Sequence, residues 1–354
     1  MTTNALTICT VSYRSASLLD LNLTLTSKLN PAANFHWLIV DNNNDFQGRD
    51  PLALGEKNVQ VIQGDPCINQ GLLKGSYHHA QALNKALSLV STRYLLVIDP
   101  DFFIFQKEWV NAVLTYMSDN NLSFWGAPYY PNLTWKRRYF PTVSCMLIDL
   151  EKAAQEKLDF TPELDEFQFL KASPTLSLLG IIVGIIPRQV SHVDRAILVD
   201  IVGSVLRSRW VAAPLSALFP KRFYTDTNMS RDTGFKIQNY FGKDRTVRVE
   251  LLVPAYVNDL FTKKDSFLMN TSVWLYSLLV PEDLSIYPKR SNYSTSTSFK
   301  DVGLFDVRGQ FGWEEFFWKE KPFAIHIKGG TRKFKDVGYD KLQGILLQLA
   351  EKPV

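Results

Sequence analysis

The sequence predicts an α/β protein built on a mostly parallel sheet, and three observations predict it. Short, continuous aliphatic runs recur through residues 1–150, segments of helical period separate them, and each run stops at a polar or acidic turn. Runs that are apolar at every position mark strands buried on both faces, the condition inside a parallel sheet covered by helices. Ligands of such sheets bind beyond the carboxyl ends of the strands, so the residues that end each run carry the functional interest.

In order, Leu6 to Val11 reads as the first strand and ends in Ser12-Tyr13-Arg14-Ser15. The stretch Ser17 to Leu29 places Leu18, Leu21, Leu25 and Leu29 on one helical face. Trp37 to Val40 is a second strand that ends at Asp41-Asn42-Asn43-Asn44, and Val59 to Ile62 is a third. Ser76 to Val90 is helical, with Ala80, Leu83, Leu87 and Val90 as its stripe. Tyr94 to Ile98 is a fourth strand stopping at Asp99-Pro100-Asp101, and Gln106 to Met117 is helical again. Beyond Val143 the pattern loosens: Ser144 to Leu150, Thr246 to Val253 and Phe323 to Ile327 read as strands, the last running into Lys328-Gly329-Gly330-Thr331-Arg332-Lys333.

Composition narrows the function classes. The chain has 354 residues, long enough for a core without disulfide or metal staples, and 46% hydrophobic content excludes a disordered or fibrous protein. Its net charge of +4 fits an anionic small substrate or surface and is too weak for a nucleic-acid protein. Cys9, Cys67 and Cys145 are far apart and form neither a CxxC pair nor a zinc spacing, which leads us to expect a reducing compartment. The N-terminal residues show no basic-then-apolar leader, and the expected location is cytoplasmic, with peripheral contact at the inner face of a membrane as the alternative.

The acidic turn carries the chemistry. In extended backbone, residues i and i+2 face the same way, so Asp99 and Asp101 can both point at one ligand, with Pro100 stiffening the turn between them. Two carboxylates on one short turn suit Mg2+ or Mn2+ bridged to phosphate oxygens, although an acidic pair after a strand also reads as a solvated turn.

The order TVSYRS, WLIVDNNN, GLLKGSYHHAQALNKAL, YLLVIDPDFFIF resembles the family 2 type of glycosyltransferase with the GT-A fold, which transfers a sugar from a nucleotide-sugar. The resemblance covers Leu6 to Phe105 and returns around Arg231-Asp232-Thr233-Gly234 and His326 to Arg332. It implies a GT-A core over residues 1–150 that binds the nucleotide-sugar. Residues 151–354 would form an acceptor-side region, helical and partly apolar, with a C-terminal segment for metal and diphosphate. Tyr13 would line the nucleobase pocket and Asp41 would accept a hydrogen bond from the base. Lys74 to Asn84 would cover the nucleotide, with Asn84 near the donor. Asp99 would approach the ribose or the metal, and Asp101 would bind the metal. The sequence departs from the family at Ala86, where glycine is usual, and at His78-His79, which read as capping or flanking the helix.

Asp232 resembles the acceptor-side aspartate of this family, which would make it the base of an inverting transfer; an Asp before Thr-Gly is equally a helix cap. Asp165-Glu166 and Glu314-Glu315 are rival acids that read as solvated helix faces. A late histidine serves many GT-A enzymes as a third metal ligand, and His326 is placed for that role, with a satisfied core residue as its alternative. Lys328, Arg332 and Lys333 are candidates to hold the diphosphate, or else an ordinary basic tail.

Residues 175–219 are unusually apolar with interspersed arginines, and read as a buried helical hairpin or subunit interface, or as helices lying on an anionic membrane. The basic-aromatic Trp135-Lys136-Arg137-Arg138 reads as a surface turn or an acceptor contact. The expected partners are a nucleotide-sugar donor and a saccharide or lipid-linked acceptor. A sugar-phosphate nucleotidyltransferase and a non-catalytic nucleotide-sugar-binding protein are the competing functions. The first loop, Ser12 to Ser17, lacks the glycines a nucleotidyltransferase usually carries there, and P-loop, GxGxxG, HExxH and GxSxG patterns are absent.

Overall fold

The computed structural model describes residues 6–47, 58–67, 74–129, 139–163, 233–254, 313–327 and 339–351. The first half alternates as its hydrophobic pattern dictates: β1 (Leu6–Ser12), α1 (Ala16–Leu29), β2 (Phe35–Asp41), β3 (Val59–Gln63), α2 (Lys74–Leu87), β4 (Tyr94–Ile98), β5 (Phe102–Ile104), α3 (Trp109–Asp119), β6 (Phe124–Gly126) and β7 (Cys145–Asp149). After these come α4 (Phe235–Phe241), β8 (Val249–Leu251), β9 (Val253–Pro254), β10 (Trp313–Trp318), β11 (Lys321–Ile327) and α5 (Tyr339–Glu351).

A seven-stranded sheet has the order β3-β2-β1-β4-β7-β6-β8 and is parallel except for β7, which runs against both neighbours. This is the expected α/β class with a largely parallel central sheet. Alternate residues of its central strands enter different cores, as the period of two requires. Leu6, Ile8, Trp37, Ile39, Leu96 and Ile98 pack on one face with α3, while Cys9, Val11, Leu38, Val40, Leu95 and Val97 pack on the other with α2 and α4. Both faces are covered, which explains why Trp37 to Val40 and Tyr94 to Ile98 are apolar at every position. The seventh strand is residues 249–251, so the sheet draws on chain beyond residue 150.

A second, antiparallel sheet of order β5-β11-β10-β9 joins residues 102–104 to the C-terminal strands. Helix α1 lies between the two sheets. Its stripe Leu18, Leu21, Leu25 and Leu29 packs on Phe103, Ile325 and Ile327 of the second sheet together with Leu342 and Leu346 of α5, while Leu19 and Leu23 face the first sheet. The run 246–253, read as one strand, is two: the chain leaves the first sheet after Leu251 and joins the second at Val253. Among the described residues, no helix is long and apolar enough to cross a membrane. The apolar segment 175–219, Asp165-Glu166 and the basic-aromatic patch 135–138 lie outside the described residues.

Candidate functional site

The carboxyl ends of β1, β2 and β4 lie on one edge of the parallel sheet and open into a cavity of about 800 Å3. Tyr13, Asn42 and Asn43, Cys67, the first turn of α2 and the turn 99–101 line it. A second cavity of about 290 Å3 adjoins it, lined by Ser76, Pro128, Tyr129, Thr142 to Ser144, Thr233, Glu314 and His326. Gly75, His79 and Asp99 line both cavities and mark where they meet.

Tyr13 follows β1 at the cavity mouth and is 54% exposed. The His78 ring meets it edge-on at 6.4 Å between centroids, and the Arg14 guanidinium lies 5.5 Å from its ring. Arg14 holds the left-handed conformation (φ 58°) that turns the chain from β1 into α1. The loop is fixed from below: Asp45 accepts from the Ser12 hydroxyl (2.5 Å) and the Ser15 amide (3.1 Å).

Asp41 is 2% exposed and its carboxylate serves the protein. One oxygen accepts the amides of Asn43 and Asp45, and the other accepts that of Phe46 at 2.8 Å. The contact with the base expected of Asp41 is not among those seen: Asp41 ties the loop after β2, and the cavity wall there is Asn42 and Asn43. Gly64 leaves room for Asn42, because a Cβ on it would fall 1.8 Å from the Asn42 side-chain oxygen. Asn84 lines neither cavity. Its amide nitrogen donates to Asp159 (3.3 Å) and Thr161 (3.2 Å), and its oxygen accepts the Phe160 amide (3.0 Å), so it anchors residues 159–161 to α2. The first turn of α2 does line the cavity, and His78-His79, expected to cap or flank the helix, face into it.

The turn after β4 brings Asp99 and Asp101 against β11. Ser144 holds Asp99 by accepting its amide (3.0 Å), and the Ile327 amide donates to the Asp101 carbonyl (2.9 Å). His326 Nε2 then lies 3.6 Å from Asp99 Oδ2 and 3.4 Å from Asp101 Oδ1, and one ligand atom from each residue falls within 4.8 Å of the others. An octahedral ion with bonds of about 2.1 Å spaces adjacent ligands by about 3 Å, so the three atoms need only small shifts to close on one ion. The charge balance fits as well. Burial disfavours a charged imidazole, but hydrogen bonds to Asp101 and Glu314, with their charges, outweigh it and push His326 up to about 10. Without an ion the carboxylates hold a proton on this ring, and a cation takes over the same negative surroundings.

Two residues of the site were not legible as such. Asn22 in α1 is 2% exposed; its amide donates to the carbonyls of Phe102 (2.8 Å) and Pro100 (3.5 Å), pinning the acidic turn from behind. Its sequence setting, Asn22-Leu23-Thr24 on a helical face, gives no sign of this. Glu314 and Glu315 are not on a solvated helix face: they lie in β10, 5% and 2% exposed, because helices and strands cover both faces of that sheet. Glu314 Oε2 stands 2.8 Å from His326 Nδ1.

Helix α4 begins at Phe235, and its cap position falls on Gly234 in the left-handed conformation (φ 84°) with no side-chain cap. Thr233 lines the smaller cavity and donates to the Ser76 carbonyl (3.1 Å). Asp232, Lys328, Arg332 and Lys333 lie outside the described residues.

No protein-family model and no curated protein matches the chain. Among solved structures it is similar to the mannosyltransferase PcManGT from Pyrobaculum calidifontis in complex with GDP-Man and Mn2+, at 13% identity over 68% of this chain and 88% of that one, TM-score 0.32. It is also similar to S. aureus TarS 1-349 in complex with UDP-GlcNAc, at 14% identity over 90% of this chain and 99% of that one, TM-score 0.34. The same TarS fragment without that ligand in its name gives 15% identity over 90% and 98%, TM-score 0.33. Likenesses this distant leave the functional reading to the geometry of the two cavities and of the three side chains between them.

Proposed function

We propose that the chain is a metal-dependent glycosyltransferase of the GT-A type that moves a sugar from a nucleotide-diphosphate donor to a saccharide or lipid-linked acceptor. The observation that supports this is the convergence of Asp99, Asp101 and His326 where the two cavities meet. A donor in the larger cavity would present its diphosphate to these residues and its sugar to the smaller one.

Tyr13 would stack on the base and Asn42 or Asn43 would hydrogen-bond its edge, since amides offer both donor and acceptor. Asp99, Asp101 and His326 would hold Mn2+ or Mg2+, which when bound supplies positive charge for the departing nucleoside diphosphate. Lys74 lines the same cavity, and Lys328 and Arg332, which follow β11 in sequence, would add cationic contacts. Asp232, next in sequence to Thr233 of the smaller cavity, would take the acceptor's proton in an inverting transfer, a step general-base help speeds by about 10²–10⁴-fold. The hydroxyls of Ser76, Thr142 and Ser144 would orient that acceptor.

The test is a screen of nucleotide-sugars by thermal shift, with and without Mn2+, on the wild type and Asp101→Ala. A donor raises the melting temperature by mass action. The expected result is a donor-dependent shift that requires Mn2+ and vanishes in Asp101→Ala. A shift that survives in the variant with Mn2+ present refutes the reading.

A further inference from the structure

Glu314 and His326 are cross-strand partners in the β10–β11 register, so their side chains share one face of the sheet. Both are 5% exposed, and Glu314 Oε2 lies 2.8 Å from Nδ1. An ionised carboxylate only accepts hydrogen bonds, so the hydrogen of this contact sits on Nδ1. In the neutral ring the lone pair then belongs to Nε2, the nitrogen that faces Asp99 and Asp101. The Phe102 ring, 5.6 Å from the imidazole, limits rotation on one side.

We propose that Glu314 is a positioning residue that fixes His326 as a nitrogen donor and thereby makes the Asp99–Asp101–His326 site prefer Mn2+ to Mg2+. The inference rests on the metal-dependent reading above and adds to it the choice of ion. Mg2+ takes oxygen ligands and keeps its waters, whereas first-row transition ions gain from an imidazole. A carboxylate on the far nitrogen raises the ring's basicity toward the ion, and removing such a partner typically costs about 10–100-fold in metal affinity.

The experiment is calorimetric titration of Mn2+ and of Mg2+ into the full chain without donor, for the wild type, Glu314→Ala, Glu314→Gln and Asp101→Ala. The expected result is a fall in Mn2+ affinity of about 10–100-fold in Glu314→Ala, with a much smaller change for Mg2+. Glu314→Gln should recover most of the loss, because its amide oxygen still accepts from Nδ1. If circular dichroism shows that Glu314→Ala does not fold, Glu314→Asp takes its place: it keeps the charge but draws it back by one methylene, and should weaken Mn2+ in the same way. Unchanged Mn2+ affinity in the truncated or shortened variant overturns the proposal, as does an equal loss for both ions. Mn2+ binding that is lost in Asp101→Ala but indifferent to Glu314 overturns the role of Glu314 alone. A wild type that binds neither ion overturns the metal centre itself.

Discussion

Asn22→Ala should loosen the acidic turn and lower stability together. Among the described residues strand β5 is the edge of the second sheet, with β11 as its one strand neighbour. The Phe102 carbonyl finds its partner there in the Asn22 amide at 2.8 Å, inside a buried environment. Truncation strips that carbonyl of its donor, which costs about 1–3 kcal/mol. The second contact, to Pro100 at 3.5 Å, is at the limit of a hydrogen bond and adds little to stability, yet it is the one that touches the turn between the two aspartates. A loss near 2 kcal/mol, at about 2–4 °C per kcal/mol for a domain of 150–250 residues and less for a longer chain, lowers the melting temperature by roughly 4 °C. Thermal denaturation followed by circular dichroism reads that shift, and titration with Mn2+ reads the turn. Asn22→Asp sets a carboxylate against the Phe102 carbonyl in place of a donor, so it should be the less stable of the two variants. A melting temperature unmoved in Asn22→Ala, or an Asp variant as stable as the Ala variant, refutes this account.

The tether between α2 and α4 gives a pH dependence. Burial raises the Asp159 carboxyl, but hydrogen bonds from Lys236 and Thr161 outweigh it and bring it from 3.8 to about 2. A depressed carboxylate stabilises above its unfolded value and loses that stability as pH falls through the folded one. The stability gap between wild type and Asp159→Asn, measured by urea denaturation, should stay constant above pH 3.8 and close toward pH 2. The groups are partly exposed, which keeps the gap to about 1 kcal/mol or less; a gap that persists at the acid end refutes it. The hairpin between β10 and β11 turns on Lys319 and Glu320, both left-handed (φ 50° and 64°). Such a conformation costs a non-glycine residue about 1–2 kcal/mol, so Glu320→Gly should gain roughly 1 kcal/mol in the same assay. Lys319, over the Tyr116 and Trp318 rings at 4.4 and 4.6 Å, is left in place. No gain in stability would show that the turn is not strained.

What the sequence made legible follows from locality. Strands β2 and β4 were readable because burial on both faces fills Trp37 to Val40 and Tyr94 to Ile98 with apolar residues, β1 because only small threonines interrupt its apolar run, and α1, α2 and α3 because their stripes repeat within a few turns. Asp99 and Asp101 were readable because both ends of the signal, the strand and the turn, are adjacent in the chain. Asp41 and Asn84 show the opposite case. Their residue types suit a ligand, but their partners are backbone amides of the next loop for one and residues 159–161 for the other. Polar side chains near a site are needed to hold loops as well as ligands, and residue type does not separate the two uses.

Glu314 was illegible for a geometric reason that also explains why it matters. A two-residue turn between Trp318 and Lys321 pairs Phe317 with Pro322, and an unbroken ladder from there would set Glu314 opposite Ile325. A register change between Phe316 and Phe317 pairs Phe316 with Ala324 instead, leaving Phe323 as the extra residue of β11. Pro322 has no amide hydrogen for the ladder, which suits a bulge at this point. The one-residue slip carries Glu314 from Ile325 to His326, and in a strand one residue is the difference between opposite faces. Two adjacent glutamates in a strand thus divide: one reaches the imidazole beside Asp99 and Asp101, and the other projects from the opposite face. The sequence Trp313-Glu314-Glu315-Phe316-Phe317-Trp318 contains no alternation that could show this, since the pairing is decided by where the bulge falls, not by the residues of β10. Strand β11 pairs with β5 without a break through His326, so the approach of His326 to Asp99 and Asp101 is independent of the bulge, whereas the carboxylate behind that histidine is set by it.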